Sequence, residues 1–274
     1  MTIASSTRVR ALEPVRSHLI GALPFVRHGM TFRVEGLGRA DGNIGLGTPR
    51  DREDAWEMRR AWCEAIGVNP EQIVTMGQVH GNHVIRVTAD DAGKGAKDPA
   101  DHIGIGDALI TNEPGVVLTT LHADCQPILL VDPVSKAIAA VHAGWRGTVA
   151  DIAGTTVRAM QDAYGSEPSD LLAYLGPAIG PIQNEVGDEV IEAWLDQASD
   201  LGESAMGAVL KPGLKHHFDV PAANRMLLLR AGLLDKHIET SGICTRANLD
   251  TWFSHRGHGP NAGREGALIA LVGE

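Results

Sequence analysis

The chain is short of several things, and each shortage closes off a class of explanation. It has three cysteines in 274 residues. So small and odd a number cannot staple a disulfide scaffold, and a reducing cytoplasm is the expected setting. No stretch approaches the roughly 18–20 apolar residues of a membrane span, so no membrane partner is expected. Positive charge is also scarce: 24 Lys and Arg stand against 34 Asp and Glu, a formal net charge of −10. That argues against a general nucleic-acid footprint, while leaving room for a local basic pocket. Aromatics make up 4% of the chain beside 32 glycines, a balance that suits an enzyme with many shaped loops better than a helical bundle. There is no internal repeat and no long linker. The opening segment, MTIASSTRVRALEPVRSH, lacks the continuous apolar core of a signal peptide. Residues 1–25 are expected to be a flexible tail and 26–274 a single catalytic domain. A domain of that size buries roughly 70–75% of its unfolded surface and needs no disulfide or structural metal.

What is present reads as alternating strands and helices. Ala55, Met58, Trp62 and Ile66 recur at helical spacing within Asp51–Ile66, and Gly67 stops the helix. Ile73–Met76 and His83–Thr88 read as strands, followed by a polar, Gly-rich loop from Ala89 to Pro99 with no buried pattern. Val116–Leu121, Ile128–Val131 and Ala137–Val141 are near-continuously apolar, the mark of strands covered on both faces, and Asp132-Pro133 turns the second into the third. Further helices are expected at Val149–Tyr164, at Val186–Gln197 and after Asp219, which caps a helix with Pro221 in its first turn. Strands are expected at Leu171–Leu175 and Ala267–Val272, with Leu201–His217 irregular. The fold class is α/β: one mixed sheet with helices on its faces.

Three motifs carry the chemistry: Gln78-Val79-His80-Gly81, His122-Ala123-Asp124-Cys125-Gln126-Pro127 and Val141-His142-Ala143-Gly144-Trp145-Arg146-Gly147. Each lies at the end of a strand-like run. His80, Cys125 and His142 together supply two imidazoles and a thiolate, a natural ligand set for zinc that leaves a fourth position open. Taken singly, each has a plain alternative, a satisfied histidine or a small core thiol; their joint occurrence makes the case. Gly144–Gly147 is a strand–turn–helix junction, either an anion seat formed by helix-end amides and Arg146 or a glycine turn with an exposed arginine. Asp107 is either a carboxylate supporting the site, by holding a ligand or moving a proton, or an ordinary turn residue. Arg264 precedes the last strand and faces the same cleft or solvent. The Gly176–Pro181 loop reads as a rigid structural turn, Cys63 as core and Cys244 as inert.

Together these motifs resemble the laccase-domain family, also called multicopper polyphenol oxidoreductases and more recently recognised as purine nucleoside phosphorylases. The resemblance covers nearly everything after about residue 26. It rests on His28–Arg33, Asn43–Gly47, Gln78–Gly81, Gly106–Thr111, Ala123–Pro127, Val141–Gly147, Gly176–Pro181, Glu185–Gly187 and Ser254-His255-Arg256…Gly263-Arg264. It implies a fold like the catalytic domain of cytotoxic necrotizing factor toxins, with metal binding and catalysis at His80, Cys125 and His142. It also implies Arg33, Asn43, Gln78, Arg146 and Arg264 as contacts to substrate or phosphate. Three departures stand out: His122 where the family usually has Thr, Ile182-Gln183 in place of a frequent double cysteine, and Val34-Glu35-Gly36 in place of a Gly-Gly segment.

The resulting expectation is a zinc enzyme that splits purine nucleosides with phosphate and has adenosine deaminase side activity. Arg146 would hold phosphate and Asp107 or Asp124 would move protons. The first rival is a copper-dependent phenol oxidase. It lacks support from paired His-x-His clusters, and zinc could not serve it because zinc has no redox chemistry. The second rival is a hydrolase or deamidase using Cys125 and His142 as nucleophile and base, and the third is a nucleoside-binding module without turnover.

Overall fold

A computed structural model describes residues 12–47 and 49–273. In chain order the first half comprises α1 (His18–Gly21), β1 (Val26–Met30), α2 (Arg52–Ile66), β2 (Ile73–Val74), β3 (Val84–Arg86), β4 (Ala108–Thr111), β5 (Val117–His122), β6 (Gln126–Asp132) and β7 (Ala137–Ala143). The second half comprises α3 (Trp145–Val149), α4 (Ile152–Tyr164), β8 (Leu172–Leu175), β9 (Glu185–Val186), α5 (Asp188–Gln197), β10 (Val209–Leu210), β11 (His216–Phe218), α6 (Val220–Arg230), β12 (Ile238–Thr240), α7 (His255–His258) and β13 (Glu265–Leu271).

The α/β class holds, and the strands divide into two major sheets and a small one. One sheet has the order β1-β13-β5-β2, the other β12-β8-β6-β7-β4-β3, and β10-β11-β9 form a three-stranded piece. Both major sheets mix parallel and antiparallel pairs. Alternation along the strands sorts side chains into layers. Leu129, Val131, Ile138 and Ala140 of the six-stranded sheet meet Leu118, Ala267 and Ile269 of the four-stranded sheet. The opposite residues of the same strands, Ile128, Leu130, Ala139 and Val141, pack against α4, α5 and α6. On the far side, Val117, Leu268 and Ala270 pack against Met58, Trp62 and Ile66 of α2. The order helix, sheet, sheet, helix explains why the central strands read as continuously apolar: both faces are covered.

Local signals hold where a cap or a period dictates them. Asp51 caps α2 by accepting from Glu53 and Asp54 amides, and Gly67 ends it at a φ of 86°. Asp219 caps α6. The expected helix at Val149–Tyr164 is split into α3 and α4 because Asp151, at a φ of 58°, breaks the run and caps the second piece through Gly154 N–H. Val186 belongs to β9 and Gly187 caps α5, so that helix starts two residues later than its apolar pattern suggests. The segment expected to be irregular contains 3₁₀ turns over Ser199–Ala208, then β10 and β11.

Residues 1–11 of the expected tail lie outside the described residues. Residues 12–25 are packed: Val15 bridges Met30, Ile20 is buried, and Ser17 bonds Glu239 at 2.6 Å. Among the described residues no helix is long and apolar enough to cross a membrane.

Candidate active site

The chain passes from the four-stranded sheet to the six-stranded sheet twice, and both of these crossings enter the site. The first runs from β2 to β3 and carries His80; the second runs from β5 to β6 and carries Cys125. A crossing must turn sharply, and each holds a non-glycine residue in the left-handed region, His80 at a φ of 64° and Asp124 at 84°. His142 projects from the end of β7, just before the chain turns into α3. The ligand atoms of His80, Cys125 and His142 all lie within 4.8 Å of one another.

Asp107 joins these pieces. Its carboxylate is fully buried and accepts from His142 Nδ1 at 2.8 Å and His80 N–H at 3.0 Å through Oδ1. Its Oδ2 accepts from Gly81 N–H at 2.7 Å and Val79 N–H at 3.3 Å. One side chain thus fixes the backbone that carries His80 and the ring orientation of His142. With Nδ1 engaged, the other His142 nitrogen is the one turned to Cys125. Burial alone would push the Cys125 thiol up, but His142 and His80 outweigh it and bring it down to about 6. Burial would lower His142; the Cys125 thiolate and Asp107 overcome that and raise it to about 9. Without an ion, the pair is therefore a thiolate and an imidazolium.

These residues fit a metal. A Cβ built on Gly144 would sit 2.8 Å from His80 Cδ2 and 2.9 Å from Cys125 Sγ, so only glycine lets the chain pass this close to both. Two imidazole nitrogens and a thiolate match zinc and copper preferences, and an ion would replace the proton shared between Cys125 and His142.

The three donors line a cavity of about 660 Å³, within the range of sites that enclose small molecules. Arg50, Arg146, Arg256 and Arg264 line it as well, giving a basic interior to an acidic protein. Arg146 is exposed and lies over the Trp145 ring, 4.3 Å from its centroid.

Several motif residues hold the walls. Gln78 spans the crossing with both ends of its amide on the Leu121 backbone, each at 2.8 Å. Asn43 is buried and does not line the cavity; its Oδ1 accepts from Gly45 N–H at 3.1 Å and Arg264 N–H at 2.8 Å. Asp124 lines the cavity, but its oxygens accept from the Thr245 hydroxyl and from Arg256 N–H, each at 2.7 Å. Arg33, expected beside the substrate, is outside the cavity lining and paired with Asp41 at 2.7 Å. His122 adds no ligand atom: it is buried, with Nδ1 3.1 Å from Cys125 O and Nε2 2.8 Å from the Thr120 hydroxyl. Its imidazole is held well below the ordinary value by burial, with the His142 charge adding to the effect.

Other contributors are invisible to motif reading. Arg59 is 2% exposed and donates to Ile44 O at 2.9 Å and to Gly95 O and Ala96 O at 2.8 Å. It pins the loop that had no buried pattern in the sequence, and it looks from sequence like any arginine on an amphipathic helix. Arg50 reaches Ala262 O across more than two hundred residues. Glu265 is wholly buried, and neither carboxyl oxygen has a hydrogen-bond partner among the described residues.

The chain is 36% identical over 258 residues to "Purine nucleoside phosphorylase YlmD" of Geobacillus stearothermophilus, covering 92% of each chain. It is 35% identical over 223 residues to "Purine nucleoside phosphorylase YfiH" of Escherichia coli K12, covering 81% of this chain and 83% of that one. The crystal structure of YlmD from Geobacillus stearothermophilus superposes with a TM-score of 0.88 at 33% identity, covering 96% of this chain and 98% of that one. Residues 27–272 match the family described as multi-copper polyphenol oxidoreductase laccase, and the chain belongs to that family.

Proposed function

We propose that the protein is a zinc-dependent purine nucleoside phosphorylase that also deaminates adenosine. The observation that carries this reading is the pairing, within one cavity, of the His80–Cys125–His142 donors with a set of guanidiniums. The guanidiniums offer a place for the attacking oxyanion, and an ion held by the three donors would stand beside it. The names of the relatives, purine nucleoside phosphorylases, support the same class.

In this reading a phosphate oxygen attacks C1′ of the ribose. The C1′–N9 bond breaks, and its electron pair leaves with the purine, which takes up a proton. The arginines bind and orient phosphate and offset the charge brought into the cavity. When bound by His80, Cys125 and His142, zinc supplies Lewis acidity for oxygen anions or water. Asp107 holds His142 and the His80 backbone in place. Asp124 fixes the wall at Thr245 and Arg256, so neither carboxylate is assigned a proton shuttle. The described residues contain a single cluster able to hold an ion, whereas four-electron reduction of oxygen by a phenol oxidase needs several coppers; zinc is preferred on that ground.

A second reading has an observation of its own. Cys125, His142 and Asp107 form a thiolate, an imidazolium and an orienting carboxylate, the arrangement of a nucleophilic hydrolase. Chromatography of zinc-loaded protein incubated with adenosine, with and without phosphate, tests the first. Adenine formed only with phosphate supports phosphorolysis, and inosine formed in both supports deamination. Full turnover by His142→Ala would sink both readings.

A further inference from the structure

We propose that Arg50 and Arg264 together form the seat for phosphate in this cavity. The inference deepens the phosphorylase reading and rests on it for the identity of the anion.

The two guanidiniums converge on one atom. Arg50 donates to Ala262 O from Nη2 at 2.6 Å and from Nε at 3.2 Å, and Arg264 Nη1 donates to the same oxygen at 2.6 Å. Like charges held this close repel, and one carbonyl dipole does not neutralise two cations. Where two cations share a group elsewhere, a carboxylate is that group: Arg158 and Arg230 both meet Asp151. Neither Arg50 nor Arg264 has an ion pair among the described residues. The neighbouring carboxyl, Glu265, is kept neutral by burial, which pushes it well above the usual carboxylate range. The missing partner is an anion that comes from outside the chain.

The pair is also built to stay in place. A Cβ on Gly45 would be 3.0 Å from Arg264 Cγ and 3.1 Å from its Cβ, so the arginine stem lies directly on the Gly45 backbone. Asn43 ties that backbone to Arg264, and Arg50 Nη1 is anchored on Gly47 O at 3.1 Å. Once these bonds are made, Nε and Nη2 of Arg264 have no protein acceptor among the described residues, and each Arg50 Nη keeps a second N–H. Two forks with spare donors suit the oxygens of a phosphate group. Both residues line the cavity that holds the metal ligands. Arg146 has none of these supports: it is exposed, stacked on Trp145, and belongs to a helix of five residues.

The anion is either free phosphate or the phosphate ester of a nucleotide; the phosphorylase reading selects the first. The test titrates the full, zinc-loaded chain with inorganic phosphate and with adenosine monophosphate in a calorimeter, alongside phosphorolysis kinetics. R50Q is expected to weaken phosphate binding about tenfold or more, the loss of a charge-assisted contact, and to raise the phosphate KM by the same factor. The nucleoside KM and zinc content should stay unchanged, while the thermal midpoint falls modestly with the bonds to Gly47 O and Ala262 O. Because R264Q also disturbs a segment tied to Asn43, R50Q is the deciding variant and R264Q is expected to follow it.

Unchanged phosphate affinity in folded, zinc-loaded R50Q would overturn the proposal. So would an Arg50-dependent loss seen with the nucleotide and not with free phosphate. Failure of the phosphorylase reading looks different: Arg50-dependent phosphate binding in a protein that splits no nucleoside sustains the seat and rejects that activity. Phosphorolysis with the same phosphate KM in R50Q rejects the seat and keeps the activity.

Discussion

Replacing Asp107 by Asn separates two roles that its position allows. The carboxylate accepts four hydrogen bonds, two at each oxygen: His142 Nδ1 and His80 N–H on Oδ1, Gly81 and Val79 N–H on Oδ2. An amide keeps one oxygen and puts an NH₂ at the other, so two donors face a donor whichever way it turns. A buried donor left without an acceptor costs about 1–3 kcal/mol. The 3.3 Å bond of Val79 is the weakest of the four, so the preferred orientation sacrifices the Oδ2 side and costs about 3 kcal/mol in all. For a chain of this size that lowers Tm by roughly 5–10 °C. Loss of a carboxylate behind a ligating histidine also weakens metal binding about 10–100-fold. Scanning fluorimetry reads the first effect, and competition against a chromophoric zinc chelator reads the second. Had Asp107 been a general acid or base, Asp107→Asn would lower kcat while leaving Tm and zinc affinity at wild-type values. That outcome would refute the positioning argument.

Other contacts make predictions of their own. In chelated protein at pH 7, iodoacetamide should modify Cys125, lowered to about 6 by its histidines against the cost of burial, long before Cys63, which burial pushes up to about 12. Added zinc should suppress the Cys125 reaction, and a rate indifferent to zinc would contradict the ligand assignment. Gly144→Ala drives a methyl into His80 and Cys125; zinc content should fall while the protein stays folded, at a cost of about 1–3 kcal/mol, and stoichiometric zinc in the variant would show that the cradle is not needed. His28 accepts from Ser17 N–H at 2.9 Å through Nε2, and burial, helped by Arg16, lowers it from 6.5 to about 4. The folded state therefore holds the neutral ring while the unfolded chain takes a proton. This contribution is complete above pH 6.5 and is lost as pH falls toward 4, about 3 kcal/mol in total. Denaturant titrations across that window should show the slope, and His28→Gln, which keeps an acceptor, should remove its share; an unchanged slope would disprove the assignment.

The outline of the fold is legible in the sequence because its signals are local. Asp51, Gly67 and Asp219 end helices through their own side chains or backbone angles, and the apolar runs of β5, β6 and β7 announce strands covered on both faces. The division into two sheets is not legible. A strand buried on two sides looks the same whether helices cover it or a second sheet does, and the cluster that takes up Leu129 includes Ala267 and Ile269, more than a hundred residues away. The break at Asp151 is hidden for a related reason: the apolar pattern of α4 continues backward through a residue whose φ of 58° ends the helix.

The site shows where motif reading errs and what replaces it. His80, Cys125 and His142 stand out because their donor atoms have few other uses at strand ends, and the structure brings them together. Gln78, Asn43 and Asp124 stand out equally, yet their polar atoms are consumed by the chain itself. The cause is the architecture: where a chain leaves one sheet for another, its amides and carbonyls lose their ladder partners and must be satisfied by side chains. Gln78 and Asp124 at such crossings are therefore consumed by the chain first, and Asn43, in the loop between β1 and α2, is spent in the same way on Gly45 and the Arg264 amide. Arg50 lies in no motif, yet after its internal bonds are counted it has donors to spare beside Arg264, with no ion pair to a carboxylate among the described residues. A surplus left after that internal accounting, rather than membership of a motif, separates the residue that waits for a ligand from the residue that holds the wall.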